Sequence, residues 1–436
     1  MDSIKVGLLG FGTIGTGVVR VFQQNADLLA KRLGKPVELV KIVDLDITSD
    51  RGVTVDSALL STNVEDVISN PDIDVVIELI GGYNPAKAFI LKAISNGKHI
   101  VTANKALLAV HGQEIFAAAS ENGVGVFFEA AVAGGIPVIS AIKENLCANR
   151  FSNVLGILNG TCNFILTKMT EEGSDFAVVL KEAQALGYAE ADPTFDIEGV
   201  DTAHKIALLA ALCFGSRVDF SKVYTEGITK VAAIDIQFAT QMGYKIKLLA
   251  IGKKENAQIE VRVHPTMIPI SYQLAEVNGV FNAVRLSGDF LGPALFYGSG
   301  AGMNATASAV MGDVMAIGRD ILSGGKMRSP SMGFCADQIV DLPIKAMSDI
   351  VSHYYLRFTT VDAPGVLAQI AGVLGKYDIS IQSMIQPERH EADAVPIVIM
   401  THEANESDVI IALAEIDQLA IVQQPTRLIR VENDLG

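Results

Sequence analysis

The sequence predicts an α/β chain in three parts: a doubly wound parallel sheet, an α+β unit, and a small βαββαβ sandwich. Three observations carry this. From residue 4 to about 130, short apolar runs alternate with helix-length patterns; from about 131 to 325, helical stretches precede strand-like ones; residues 351–436 follow the order strand, helix, strand, strand, helix, strand. At about 150 residues per domain, 436 residues accommodate three such units.

In the first part, residues 1–130, the strand candidates are Ile4–Leu9, Glu38–Val43, Val75–Leu79, His99–Thr102 and Val124–Phe128, separated by helical patterns such as Asn84–Asn96 and Lys105–Glu121. Strands separated by helices pair in parallel, with helices on both faces. In the second part, residues 131–325, the helices Thr161–Thr170, Phe176–Leu186 and Gly199–Phe214 come first. The strands Lys245–Gly252, Gln258–Val263, Ala283–Leu286 and Ala294–Tyr297 follow, then a helix from about Ala305, so the sheet is expected to be largely antiparallel. Residues 326–350, with Pro330 and Pro343, read as a linker. The third part offers strands Tyr354–Val361, Ile379–Ile385, Val395–Met400 and Ala420–Arg427 with helices Gly365–Lys376 and Glu406–Ile416, a ferredoxin-like arrangement.

Charge and composition exclude several classes. Acidic residues number 49 against 34 basic, a net charge of −15, and no Lys/Arg run occurs. Such a chain repels nucleic acid and anionic membrane surfaces. Half the residues are hydrophobic and 19 % charged, composition for buried cores rather than disorder. Cys147, Cys162, Cys213 and Cys335 lie far apart, which argues against a disulfide framework or a thiolate zinc site. The N-terminus lacks the pattern of a signal peptide, and no apolar stretch reaches the ~20 residues needed to span a bilayer. The expected compartment is the cytoplasm.

Gly10-Phe11-Gly12-Thr13-Ile14-Gly15 follows the first strand and opens a helix. A GxGxxG loop in that place lets backbone N–H groups approach a pyrophosphate at a helix N-terminus, the signature of a Rossmann-like dinucleotide site. The alternative is that the glycines serve only close helix–strand packing. Asp44, at the end of the second strand, is placed to hydrogen-bond a ribose 2′-hydroxyl and repel a 2′-phosphate, favouring NAD over NADP. Arg51 is the nearby cation able to reverse that preference, and Asp44 as a solvated turn residue is the competing reading.

Between Gly187 and Lys205, five carboxylates (Glu190, Asp192, Asp196, Glu198, Asp201) lie before or on a helix start, and Asp201 and Lys205 share one face at i,i+4. Carboxylates beside one ammonium suit a substrate carrying its own ammonium and a carbonyl, the lysine polarising or protonating the carbonyl oxygen. The same residues also read as helix-start complements and an ordinary surface pair. Lys105 follows the strand His99–Thr102, at the carboxyl edge where such sheets bind ligands.

With these residues in view, the chain resembles the homoserine dehydrogenases over most of residues 4–325. The matching blocks are Gly156-Ile157-Leu158-Asn159-Gly160-Thr161, Glu182-Ala183-Gln184, Gly187 through Lys205, Thr102-Ala103-Asn104-Lys105, Phe128 through Pro137 and Gly298-Ser299-Gly300-Ala301-Gly302. The resemblance implies reversible NAD(P)-dependent interconversion of L-homoserine and L-aspartate 4-semialdehyde. It implies that Lys205 donates the proton, with Lys105 assisting or contacting the nicotinamide. Glu190 and Asp201 would hold the amino acid with Gly160, Thr161, Tyr188 and Asp196, while Gly187 and Gly302 would line the cofactor. Glu129, Val132, Gly134 and Ile136 match a family sodium site built largely of backbone carbonyls.

Two departures stand out. Val43-Asp44-Leu45-Asp46 lacks the basic residue the family often has near the second strand's end, so NAD is favoured. Ala305-Thr306-Ala307-Ser308-Ala309 replaces a Pro-Thr-Ala-Ser-Ala run, which is expected to loosen that loop. Asp362-Ala363-Pro364-Gly365-Val366-Leu367 resembles the marker of an ACT domain, implying pairing into a homodimer or homotetramer and L-threonine as effector. The competing reading of this unit is a dimerisation module without a ligand. No kinase-like region precedes residue 1, so a fused aspartate kinase is not expected.

Two other functions compete: an aldehyde dehydrogenase with Cys162, at a helix start, as covalent nucleophile, and an amino-acid sensor on an inactive nucleotide fold. The isolated histidines His99, His111, His204 and His264 read as structural.

Overall fold

The computed structural model describes residues 2–325, 327–386 and 394–434. Its first sheet contains β1 (Ile4–Leu9), β2 (Val37–Val43), β3 (Leu60–Ser61), β4 (Val75–Glu78), β5 (His99–Thr102) and β6 (Val126–Phe127). They lie in the order β3-β2-β1-β4-β5-β6, and every pair is parallel. Five of β1's six residues and all of β4 and β5 are buried, as in strands covered on both faces. The order reverses between β1 and β4, so their carboxyl ends open a crevice where the Gly10 loop, Leu79 and Ala103 meet.

The helix Thr13–Leu33 buries Val18, Val19, Phe22 and Leu29 against the sheet and stops at Gly34, whose φ of 84° only glycine adopts freely. Beside it packs a helix from far down the chain, Met303–Leu322. Its Ala307, Val310, Met311 and Val314 share a core with Ile4, Val6 and Val18. This helix is regular from Met303, and Ala305 lies in its first turn with its Cβ against Gly135. The expected loosening is therefore absent.

The second sheet runs in the order Gly292–Ser299, Phe281–Gly288, Phe151–Ile157, Tyr244–Glu255, Gln258–Pro269, all antiparallel neighbours. The central strand Phe151–Ile157 is not among the sequence-based expectations. Its near-continuous burial leaves no apolar–polar alternation to betray it. The C-terminal unit shows the anticipated βαββαβ order, its strands arranged Val422–Val431, Val351–Val361, Ala394–Thr401, Ile381–Ile385.

The two sheets are one. Thr266 and Met267 pair in parallel with Arg430 and Val431, joining the C-terminal unit edge-on to the middle one. Asp235, fully buried, fastens the seam by accepting hydrogen bonds from the Tyr355 hydroxyl at 2.9 Å and Arg357 Nη2 at 3.1 Å. Residues 327–350 run back along the middle unit, Val340 bridging to Ser216 and Ile344 to Ile259.

Candidate active site

The site assembles from four segments. Lys205 and Asp201 stand on the buried helix Val200–Phe214, Asn159 caps the helix Gly160–Glu172, Lys105 begins the helix Lys105–Glu121 after β5, and Asp196 sits in the short helix Thr194–Ile197. The i,i+4 spacing puts Lys205 Nζ 2.7 Å from Asp201 Oδ2. Lys205 Nζ also donates to the Leu158 carbonyl at 2.6 Å. From the nucleotide-binding sheet, Lys105 Nζ lies 3.1 Å from the other oxygen of Asp201. The ordinary surface pair is thus excluded: the Lys205 and Asp201 side chains are 10 % and 6 % exposed.

Asn159 Nδ2 donates to Asp201 Oδ2 at 2.9 Å and to Asp196 Oδ1 at 2.7 Å, while its Oδ1 accepts the Cys162 N–H. Sequence reasoning gave this residue no role. The available signal was an Asn directly before a helix start, the preferred cap residue.

Burial favours a protonated Asp201, but the ammoniums of Lys205 and Lys105 and the Asn159 amide outweigh it and hold the carboxyl below its usual range. Lys205 moves down from its ordinary value, chiefly through burial and further through Lys105, against the pull of Asp201. Asp196 moves up, through burial and the like charge of Asp201. The arrangement is one buried anion between two cations, one of which titrates more easily than a free lysine.

Phe195 stacks on His204, and His204 on Phe220 at 4.2 Å, with Lys105 Nζ 5.9 Å from the Phe195 ring. Burial and the neighbouring Lys105 lower the His204 pKa to about 4, so the ring is neutral. Thr161 donates to the Tyr188 carbonyl at 2.6 Å, placing the loop with Glu190 beside the helix start. Glu190 itself is exposed and its carboxylate has no partner among the described residues; Tyr188 joins through its backbone and a ring contact with Phe164.

Cys162 does not suit covalent catalysis. It is fully buried, its thiol donates to the Asp196 carbonyl, and burial with the nearby carboxylates raises its pKa well above the ordinary value. Alkylation with iodoacetamide at neutral pH is expected to modify the exposed Cys147 and Cys335 and leave turnover intact. Inactivation tracking modification of Cys162, followed by peptide mass, would restore the thioester reading.

At the crevice, Gly10 has φ 97°, and a Cβ there would meet the Leu79 backbone at 2.7 Å; a Cβ on Gly15 would lie 2.2 Å from the Gly10 carbonyl. Gly12 faces open space, with Thr13 and Ile14 beginning the helix, so the loop fits a pyrophosphate. Asp44 Oδ2 accepts the Phe11 N–H at 2.5 Å. Arg51 lies over the Phe11 ring, 3.7 Å from Asp44 and 3.6 Å from Asp46. Gly187 and Gly302 both hold positive φ beside open space.

Comparison with known proteins gives the chain its family. A family model described as the homoserine dehydrogenase NAD-binding domain matches residues 10–129, one described as homoserine dehydrogenase matches 137–315, and an ACT-domain model matches 354–420. The homoserine dehydrogenase of Pseudomonas aeruginosa is 49 % identical over 99 % of both chains. The chain belongs to the homoserine dehydrogenase family. The structure of a homoserine dehydrogenase from Thiobacillus denitrificans superposes with a TM-score of 0.94, at 46 % identity and 99 % coverage of each chain. A hyperthermophilic archaeal homoserine dehydrogenase, solved with NADPH, superposes with a TM-score of 0.63 at 25 % identity, covering 75 % of this chain and all of that one. As a homoserine dehydrogenase the chain is an oxidoreductase that uses a nicotinamide cofactor, and the sensor reading falls away. No helix among the described residues is long and apolar enough to cross a membrane.

Proposed function

We propose that Lys205 delivers the proton in the interconversion of L-homoserine and L-aspartate 4-semialdehyde. The observation that carries this is its hydrogen bonding. An ammonium has three N–H donors; Leu158 O and Asp201 Oδ2 engage two, leaving one for a substrate oxygen. Burial eases loss of that proton, and Asp201 steadies the charge until it leaves. The nicotinamide, when bound, supplies or accepts the hydride at the carbinol carbon. Lys105 holds Asp201 from the cofactor side and assists at the same oxygen.

The substrate's carboxylate suits the Gly160 and Thr161 amides, which make no backbone hydrogen bond among the described residues and stand at a helix N-terminus. Its ammonium suits Asp196 and the unpaired Glu190, next to Tyr188. Gly187 and Gly302 leave room for the cofactor.

Two consecutive left-handed residues, Ala133 and Gly134 (φ 56° and 53°), turn the segment that follows Glu129, and the Val132 and Gly134 carbonyls accept no backbone hydrogen bond among the described residues. A Na⁺ held by the carbonyls of Glu129, Val132, Gly134 and Ile136 fits this turn. The Glu129 carboxylate instead binds the Ile139 and Ser140 amides and fixes the turn's exit.

NAD is favoured over NADP, because Asp44 and Asp46 set two carboxylates against the single Arg51. L-Threonine acting through the C-terminal unit, a cytoplasmic setting, and a homodimer or homotetramer complete the reading. For the last, Gly292–Ser299 is an edge strand with no outer neighbour among the described residues, and its Tyr297 is exposed.

The test follows absorbance at 340 nm with L-homoserine and NAD or NADP, with and without L-threonine. Turnover with NAD above NADP, weakened by threonine, is expected. Asp44→Ala should cut the NAD preference about tenfold, the size of one charge-assisted hydrogen bond. An NADP preference in the wild type, or no change in Asp44→Ala, would overturn the cofactor assignment. Turnover indifferent to threonine would overturn the effector assignment.

A further inference from the structure

β4 is apolar until its last residue, Glu78, which is fully buried, as is Thr102, its register partner at the end of β5. A carboxylate taken out of water is costly unless hydrogen-bond donors replace the solvent. Three donors do so here. Glu78 Oε1 accepts the N–H groups of Ile80 at 2.8 Å and Gly81 at 3.2 Å, and Oε2 accepts the Thr102 hydroxyl at 2.7 Å. None of these three partners is a cation. An apolar residue in this place would leave two amides and a hydroxyl buried and unpaired.

The bonding continues from Thr102. Its Oγ1 accepts the Asn104 N–H at 3.0 Å. The Asn104 side chain then works in two directions: Nδ2 donates to the Gly82 carbonyl at 2.7 Å, and Oδ1 accepts the Leu107 N–H at 3.2 Å, capping the helix that Lys105 opens. Glu78, residues 80–82, Asn104 and Thr102 thus form a closed circuit. On one side of it lies the crevice, where the Leu79 backbone packs against Gly10 and where Gly81 and Gly82 hold positive φ beside open space. On the other side, Lys105 Nζ reaches Asp201 at 3.1 Å.

We propose that Glu78 is a positioning residue that ties the loop flanking the nucleotide to the lysine facing the substrate, holding cofactor and Lys105 in one geometry. The proposal rests on the reading that the nucleotide occupies the crevice and that Lys105 assists at the substrate oxygen. Hydride transfer requires the two reacting carbons to be held close and aligned, and a misplacement of about 1 Å can cost roughly a hundredfold in rate. The loop has two consecutive glycines and little rigidity of its own. A carboxylate on a buried strand end supplies what it lacks, because one oxygen fixes the loop while the other fixes the start of the Lys105 helix.

Three variants separate this role from general stability. Hydrogen–deuterium exchange of the full-length chain without cofactor, read on peptides spanning residues 79–83, should be faster in Glu78→Ala and as wild type in Thr102→Val, which keeps the Ile80 and Gly81 bonds. Thr102→Val should lower kcat about tenfold, the effect of one lost hydrogen bond, with the KM for NAD within twofold. If that loss runs through Lys105, the double variant Thr102→Val with Lys105→Met is no slower than Lys105→Met alone. Glu78→Gln is the conservative rescue: its amide oxygen accepts the loop N–H groups, its NH₂ donates to the Thr102 hydroxyl, and kcat should stay within threefold of wild type. Losses that multiply in the double variant, unchanged exchange in Glu78→Ala, or Glu78→Gln as slow as Glu78→Ala overturns the proposal. Should Glu78→Ala fail to fold, the double variant decides alone. Wild-type turnover in Lys105→Met overturns the reading of Lys105 and the proposal with it, a result visible in that single variant and distinct from multiplying losses.

Discussion

Replacing Lys205 by alanine is expected to lower kcat by about 10²–10⁴-fold, the usual effect of losing a positioned acid–base group, while NAD binding stays within about twofold. The separation follows from geometry. Lys205 contacts Leu158 and Asp201, not the Gly10–Gly15 loop. Turnover within threefold of wild type would sink the assignment and shift attention to Lys105, the only other ammonium touching Asp201 among the described residues.

A pH profile sharpens the same test. Homoserine oxidation requires the neutral amine as base, so its rate should climb with pH and level off at the Lys205 pKa, below the ordinary lysine value. Reduction of the semialdehyde requires the ammonium and should fall through the same pKa. Asp201 raises that pKa. Asp201→Asn should therefore move both limbs to lower pH as well as slow the reaction. A limb that stays put, or moves up, would mean that the titrating group is not Lys205.

The parallel sheet and the C-terminal sandwich were legible because their strands are bounded by helices and turns. Local pattern suffices there, and the helices Lys105–Glu121 and Glu406–Ile416 begin directly after the asparagines, Asn104 and Asn405, that cap them. The strand Phe151–Ile157 was not legible, since a strand buried along nearly its whole length lacks alternation. Asp201 and Lys205 were legible as a pair because i,i+4 is a local relation, but Asn159 and Lys105 reach them across 42 and 96 positions, distances that sequence spacing does not encode. Arg51 illustrates the same limit: its presence was noted, but not its seat over Phe11, which needs the fold. The joining of the two sheets was invisible for a related reason. Two paired residues at the end of a long strand leave no periodic trace.

That seam should carry a large share of the C-terminal unit's stability, and Arg430 is where to measure it. Its guanidinium is 4 % exposed, bonded through Nε to Glu406 at 3.0 Å and through Nη1 to Glu226 at 2.8 Å, with the Tyr224 ring beneath it. Glu406 begins the helix Glu406–Ile416 and is as buried as its partner, whereas Glu226 belongs to the middle unit. Arg430→Ala leaves the Glu406 carboxylate uncompensated in the interior, a change that typically costs about 3–5 kcal/mol. The urea midpoint of the phase reporting the C-terminal unit should fall accordingly. Arg430→Met combined with Glu406→Leu removes both charges and should recover most of that loss, because a buried ion pair is worth little more than well-packed apolar groups of similar size. If the single variant loses less than about 1 kcal/mol, the range of a solvated pair, then water reaches Glu406 and the charge cluster does not fasten the seam. If the double variant is no better than the single one, the guanidinium matters through its contacts with Tyr224 and Glu226 rather than by neutralising Glu406.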